Sequence, residues 1–522
     1  MSGNDQDGSG AGLSVAIVGS GFGGLAAAIE LKRNGFTDFV VFERADSVGG
    51  VWRDNHYPGA ACDVPSVIYS FSYALKPDWS SLFGKQGEIK KYLERVAQEF
   101  DIYRHIRFGT EVTAAVFDET AGRWQVELGT GEMVVVDAVV MATGQLSRPK
   151  MPNVEGLGAF RGESFHSAEW DPAVDLTDKK VIVVGSGASA IQIVPAIAGQ
   201  VSQLSVIQRS PNWVIRKSKR VHGPIARAAL TWLPFLRRLH HDVMFLAYDL
   251  RWPLVSRKAK PLRVASEWWY KRVIRKHLRD PDAVRAATPD YTMLCNRLLL
   301  SNDWYPTLAK DHVRLIGSAV TRVVEDGVVT ADGQHVRGDV IVWCTGFKAS
   351  EFLAPIRIIG RGDADLHELW HHGAEAYLGI SVSGFPNMFM MFGPNTNSIT
   401  NSIVFLLERQ AEYIRRSLQK VVEAGGGWFD LWPDEQQRFQ TWLQDRLGET
   451  VFTDTCPGWY TNAEGKVTAM WPLSHTAYAR MTRRFDISKH EYGCARAVGG
   501  ESVAGAAGAA APSPGGVDAT RQ

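Results

Sequence analysis

The sequence predicts an α/β protein of two dinucleotide-binding Rossmann-like units with a helical insertion in the second. Three observations carry this. A glycine-rich loop stands between an apolar strand and a helical pattern near residue 20. The same arrangement recurs near residue 185, and two apolar strands, at 139–144 and 339–346, end in Thr-Gly. At 522 residues the chain exceeds what one core usually supports, so two or three domains are expected.

In the first unit, Val15 to Val18 form a short apolar run of the kind found in buried parallel strands. Gly19-Ser20-Gly21-Phe22-Gly23-Gly24 follows as GxGxxG, then a helical pattern from Leu25 to Arg33 and a second strand, Phe39 to Phe42, ending at Glu43. Gly19 permits the tight turn, Gly21 lets a pyrophosphate approach the backbone, and Gly24 lets helix and strand pack closely. The helix N-terminus favours the phosphate charge. Glu43 is placed to accept hydrogen bonds from ribose hydroxyls.

The second unit repeats the design. Val181 to Val184 lead into Gly185-Ser186-Gly187-Ala188-Ser189-Ala190, with Ala190 in the place of the third glycine. The next strand, Leu204 to Ile207, ends in Gln208-Arg209-Ser210 rather than in an acid. A cation there accommodates a 2′-phosphate, which points to NADPH; the competing reading of Arg209 is a solvated surface arginine.

Composition narrows the remaining classes. Hydrophobic content of 45% and charged content of 22% are ordinary globular values, and a net charge of +1 gives no whole-chain case for a polyanionic partner. Five scattered cysteines without a CxxC pair suggest neither a metal site nor a disulfide framework. The polar N-terminal stretch and the absence of long apolar runs lead us to expect a cytoplasmic protein without a transmembrane helix. The Gly/Ala/Ser/Pro-rich stretch 498–522 is expected to be a disordered tail.

Gly49-Gly50-Val51-Trp52 and the ATG strand at 139–144 resemble two-dinucleotide-binding flavoproteins, which assigns FAD to the first loop. Between the loops, Phe160-x-Gly162-x-x-x-His166-x-x-x-Trp170-Asp171 matches the FxGxxxHxxxW(P/D) fingerprint of type I Baeyer–Villiger monooxygenases. Tyr57-Pro58-Gly59-Ala60-Ala61-Cys62-Asp63, the segment Tyr291 to Arg297, Gly384-Phe385-Pro386-Asn387, Gly393-Pro394-Asn395 and Trp459-Tyr460 resemble further family motifs. The resemblance spans most of the chain.

It implies an FAD- and NADPH-dependent enzyme that inserts one oxygen atom of O2 beside a ketone carbonyl, through a C4a-peroxyflavin, to give an ester or lactone. A fixed cation beside the peroxide would keep it deprotonated and stabilise the developing oxyanion. By resemblance this is Arg297, positioned by Asp63; outside the family context these would be a surface salt-bridge arginine and a turn cap. His166 is expected either to orient the linker near the flavin site or only to pack there. The resemblance carries FAD contacts over to Glu43, Gly50, Val51, Trp52, Asp63, Tyr69 and Val112, with a C-terminal contact at Asn401-Ser402-Ile403, for which Ile403 is taken. NADPH contacts fall on Gly185, Gly187, Ser189, Ala190, Arg209 and Ser210.

The expected division is 1–150 and 384–497 for the FAD-binding domain, 151–213 and 288–383 for the NADPH-binding domain, and 214–287 for the helical insertion. Between 216 and 279 the insertion carries seventeen Lys/Arg against three acids. It is either a solvated basic face with core aromatics or a docking face for anionic membrane. Nucleic acid is not expected, because no binding motif accompanies the charge. Two other activities compete with the principal reading: a heteroatom monooxygenase acting on sulfides or amines, and a flavoprotein that binds without catalysing.

One departure from the family pattern has a consequence. The family usually places Lys before its arginine, to help read the 2′-phosphate, whereas Asn296 stands here. Asn296→Lys should therefore lower the Michaelis constant for NADPH in steady-state kinetics, and an unchanged or higher value would refute the assignment.

Overall fold

The computed structural model describes residues 12–218, 223–454, 458, 460–462 and 464–494. The expected disordered tail, the N-terminal stretch 1–11 and Trp459 lie outside the described residues.

Two five-stranded parallel sheets organise the chain. The first has the order Met388–Met390, Ala138–Met141, Val15–Val18, Phe39–Phe42, Ile106–Arg107. Val15 pairs with Phe39 on one side and with Ala138 on the other, so the loop after Val18 opens between two neighbouring strands. Ala16, Ile17, Val139 and Val140 are fully buried, because helices and a smaller sheet cover both faces of this sheet. The helix Phe22–Arg33 follows the first glycine loop, and the helix Ile403–Glu423, from the far end of the chain, packs along it.

The second sheet has the order Val313–Ile316, Gln203–Ile207, Lys180–Val184, Val340–Trp343, Glu163–His166. Its edge strand is contributed by the fingerprint, with Trp343 opposite His166. Gly162 sits where this strand begins, and a Cβ there would lie 2.2 Å from the Asp339 carbonyl oxygen and 2.7 Å from the Phe160 ring. The glycine is required by close packing, not by an unusual backbone angle.

The insertion is helical as expected, with helices at Pro224–Trp232, Pro234–Asp249, Lys260–His277 and Pro281–Ala287. Two expectations need correction. The strand Arg357–Ile359 lies in the stretch 288–383 assigned to the second unit, yet it pairs with Val112–Asp118 of the first. The chain thus returns before residue 384, because Phe352, Ile356 and Ile358 fill the core beneath that smaller sheet. Cys295 is disulfide-bonded, whereas Cys62, Cys344 and Cys494 are free thiols. Sequence spacing gives no measure of which cysteines the fold brings together.

Gly162→Ala should cost about 1–3 kcal/mol through overpacking. The measurement is the unfolding temperature by calorimetry, expected to fall; an unchanged value would mean that the edge strand has room to shift.

Candidate active site at the junction of the two units

A cavity of about 590 Å³ runs between the two glycine loops and receives residues from both sheets. That size is in the range of small-molecule and cofactor sites. At its first end, Gly19 has φ +104°, and a Cβ would lie 2.6 Å from the Ala142 carbonyl oxygen. A Cβ on Gly24 would overlap the Gly19 carbonyl oxygen, so helix and strand meet only because residue 24 is glycine. Gly21 and Gly50 both line the cavity with their backbones in close contact, a Cβ on Gly50 coming within 3.2 Å of the Gly21 Cα. These glycines leave a stretch of cavity wall made of bare backbone, the surface a pyrophosphate requires.

Glu43 stands at the end of the strand Phe39–Phe42 and lines the same cavity. The Ser20 amide and hydroxyl donate to its Oε2 at 2.9 and 2.7 Å, the Ala45 amide donates to Oε1 at 3.0 Å, and Arg53 Nη1 lies 3.1 Å from Oε1. Burial pushes this carboxyl up, but the hydrogen bonds from Ala45 and Ser20 and the Arg53 charge outweigh it and hold the pKa below its ordinary value. The acid is an ionised acceptor on the cavity wall. Val51, Trp52, Tyr69 and Val112 continue the lining. Trp52 donates its indole N–H to the Tyr69 hydroxyl at 3.0 Å, and the two rings meet edge to face at 5.7 Å. Ile403 lines the cavity with Asn401, at the N-terminus of the helix Ile403–Glu423.

At the second end, Gly187 and Ser189 line the cavity. Gly185 has φ +115°, and a Cβ would lie 2.3 Å from the Cys344 carbonyl oxygen; a Cβ on Gly187 would meet open space. Ala190, expected among the NADPH contacts, is fully buried and does not line the cavity; it packs where a third glycine would stand. Arg209 and Ser210 follow the strand Gln203–Ile207 outside the cavity lining. Arg209 is exposed and makes no ion pair among the described residues. Ser210 accepts a hydrogen bond from the Ser186 hydroxyl through its carbonyl oxygen at 3.1 Å.

The two units meet at Asp63 and Arg297. Arg297 donates from Nε to Asp63 Oδ2 at 2.9 Å and from Nη2 to Oδ1 and Oδ2 at 2.7 Å each. Both residues line the cavity, and 36% of the arginine side chain remains exposed. The Asp63 charge raises the pKa of the guanidinium against the opposing effect of burial, so the cation is permanent. The Arg297 amide donates to Asn296 Oδ1 at 2.8 Å. Asn296 therefore also braces the backbone of this turn.

His166, expected among the catalytic residues, does not line the cavity. As the last residue of an edge strand its ring turns into the protein. Nδ1 accepts a hydrogen bond from the Ala168 amide at 3.1 Å, and the ring packs edge-on against Phe347. Burial lowers its pKa, against the Glu169 charge and the Gly346 backbone. Phe347 does line the cavity, so His166 stands one residue behind it.

Several residues at the junction were not singled out from sequence. The Gln192 side chain accepts from the Tyr57 hydroxyl at 3.1 Å and donates to the Ala61 carbonyl oxygen at 2.9 Å. It ties the second unit's first helix to the loop that carries Asp63. His56 Nε2 lies 2.9 Å from the Trp170 carbonyl oxygen and ties the fingerprint to the same loop. Lys217 donates to the Cys62 carbonyl oxygen at 3.2 Å. Burial lowers the pKa of this lysine, while Cys62 and Asp63 oppose the shift. No local motif marks these residues, because each acts across the junction.

The glycine cradles, the ionised Glu43 and the open second loop fit two dinucleotides. Residues 12–355 match the flavin-binding monooxygenase-like family. A Baeyer-Villiger monooxygenase of Streptomyces coelicolor is 40% identical over 481 residues, 92% of each chain. One from Pseudomonas aeruginosa is 35% identical, covering 91% of this chain and 90% of the relative. Among solved structures, an oxidized steroid monooxygenase bound to NADP superposes with a TM-score of 0.81 at 31% identity, covering 90% of this chain and 97% of that one. A complex of OTEMO with FAD and NADP gives 0.84 at 26% identity, over 92% and 99%. Cyclohexanone monooxygenase with bound epsilon-caprolactone gives 0.80 at 25%, over 92% and 99%.

Arg209→Ala should raise the Michaelis constant for NADPH while leaving that for NADH nearly unchanged. Steady-state kinetics with both coenzymes checks this; equal effects on the two would place Arg209 away from the 2′-phosphate. Two glycine-rich cradles joined by an Asp63–Arg297 pair, in a chain similar over nine-tenths of its length to these relatives, make it an FAD- and NADPH-dependent flavoprotein of the flavin-binding monooxygenase-like family, within its Baeyer–Villiger group.

Proposed function

We propose that this enzyme inserts one oxygen atom of O2 between the carbonyl carbon and a neighbouring carbon of a ketone, giving an ester or lactone. The observation that carries the reading is the Asp63–Arg297 pair on the wall of the cavity, where both glycine loops converge. Bound FAD and NADPH supply hydride transfer and oxygen activation.

The residues of this chain supply position and charge. Glu43, Gly19, Gly21 and Gly50 hold one nucleotide, with Trp52, Tyr69, Val112 and Ile403 along its length. Gly187 and Ser189 hold the other, and Arg209 and Ser210 take its 2′-phosphate. Arg297 presents a fixed positive charge to the reacting oxygens and to the substrate carbonyl oxygen as negative charge develops there. Asp63 holds the guanidinium in one plane through a bidentate contact, so little reorganisation is needed at the moment of reaction. His166 positions Phe347 at the cavity wall and transfers no proton. In the first unit, 1–150 and the C-terminal part bind FAD; 151–213 with the stretch beginning at 288 binds NADPH.

A ketone as substrate is supported by the related cyclohexanone monooxygenase that holds epsilon-caprolactone, a lactone. Oxidation of sulfides is a side activity on this reading. It does not require the fixed cation, because an electrophilic oxygen donor gains nothing from one. The insertion takes no part in the chemistry; its positive excess fits contact with an anionic surface.

The test is to incubate the holoenzyme with NADPH, ¹⁸O2 and a panel of cyclic, linear and aromatic ketones beside a sulfide, with products analysed by mass spectrometry. Esters or lactones carrying one ¹⁸O are expected; sulfoxide as sole product would overturn the reading. Arg297→Ala should cut ester formation by about 10²–10³-fold, the range for removing one preorganised charge contact. NADPH consumption should continue, with hydrogen peroxide released. Full ester formation in the variant would remove Arg297 from the mechanism.

A further inference from the structure

We propose that the outer face of the helix Pro234–Asp249 is a docking surface for a bilayer containing anionic phospholipid. Phe235, Leu239, Val243, Leu246 and Leu250 recur at three- and four-residue spacing and so fall on one side of the helix and its C-cap. That side faces solvent, with exposures of 65, 56, 56, 55 and 68%. Trp232, at the end of the preceding helix, is 81% exposed.

The opposite side of the helix is already anchored. His241 and Asp249 are buried, and the Phe245 ring lies 4.4 Å from that of Phe405. Asp249 accepts from the His475 amide at 2.7 Å and from the Thr476 hydroxyl at 2.6 Å. The helix is therefore correctly seated and carries a second apolar stripe that the fold does not use. Contiguous exposed apolar surface of this kind marks an interaction site.

Charge decides the occupant. Between 216 and 279 there are seventeen Lys/Arg and three acids; Arg263 is buried, Arg257 pairs with Asp454 and Lys217 is held by the Cys62 carbonyl oxygen, and the remaining cations still leave a large positive excess. None of the three acids offers free negative charge: Asp242 pairs with Arg238, Asp249 is buried, and Glu267 accepts from the Met293 amide. A second copy of the chain would set this excess against itself, whereas anionic headgroups complement it. Among the described residues no helix is long and apolar enough to cross a membrane, so contact is with the bilayer surface. The surface also lies next to the cavity. Asn401, which lines the cavity, donates to the Phe245 carbonyl oxygen at 3.2 Å. A substrate dissolved in the bilayer would be delivered close to the site.

The experiment is co-sedimentation of the full-length holoenzyme with vesicles of phosphatidylcholine alone or mixed with phosphatidylglycerol, at low and high salt. Binding is expected only with phosphatidylglycerol and should be lost at high salt. A Phe235→Ser/Leu239→Ser/Leu246→Ser variant should bind at least about tenfold less, since three apolar groups that would enter the bilayer are removed, at unchanged unfolding temperature and flavin content. Absence of binding by the parent protein overturns the proposal, and this arm does not depend on how the variant folds. Equal binding by a folded variant overturns it too. So does sedimentation velocity showing a dimer that the variant abolishes, which would assign the stripe to a second copy of the chain.

Discussion

The rest of the site depends on one interaction, the bidentate contact between Asp63 and Arg297. The partners are 234 positions apart and come from different units. A guanidinium and a carboxylate matched in this way fix an angle as well as a distance. The contact therefore sets the orientation of the Asp63 loop and the direction in which the arginine presents its remaining donors. With 36% of its side chain open, Arg297 is only partly desolvated. The pair is better understood as a device for placing a charge than as a major source of stability.

Around this contact the junction combines directional polar links with local apolar packing, Tyr57 and Ala60 of the first unit joining the second sheet's cluster and Cys295 joining the first's. Gln192 grips the loop before Asp63, His56 holds the carbonyl of Trp170, and Lys217 holds that of Cys62. The principal apolar clusters remain largely separate, one around the first sheet and one around the second. Two rigid sheets joined in this way leave a cavity between them and keep its walls fixed by hydrogen bonds of defined geometry. The fingerprint at 160–171 is explained by the same economy. Phe160 and Gly162 pack the start of the edge strand, His166 ends it, and Trp170 docks it onto the first unit.

The glycine loops were legible in sequence because their function is local. Gly19 and Gly185 need positive φ, and Gly24 needs close packing, all within one strand–loop–helix unit. Glu43 was legible for the same reason. The place of His166 was not, since a histidine in a motif carries no sign of which way an edge strand turns its last side chain. The return strand Arg357–Ile359 was also misplaced, because strand pairing is a non-local choice made by the core it covers. The disulfide at Cys295 follows the same rule.

The sequence by itself determined the two glycine-loop units and the two cofactors, and through the family resemblance it singled out Asp63 and Arg297. These rest on short-range periodicity, on glycine sterics and on motifs that survive in one dimension. Only the tertiary structure decided the bidentate geometry of the Asp63–Arg297 contact, that Gln192, His56 and Lys217 hold the junction, and that Phe235 and Leu246 face water rather than a core. An apolar helical stripe has the same sequence whether it is buried or exposed, and a carboxylate has the same sequence whether or not an arginine reaches it. What separates these outcomes is the packing of segments hundreds of residues apart.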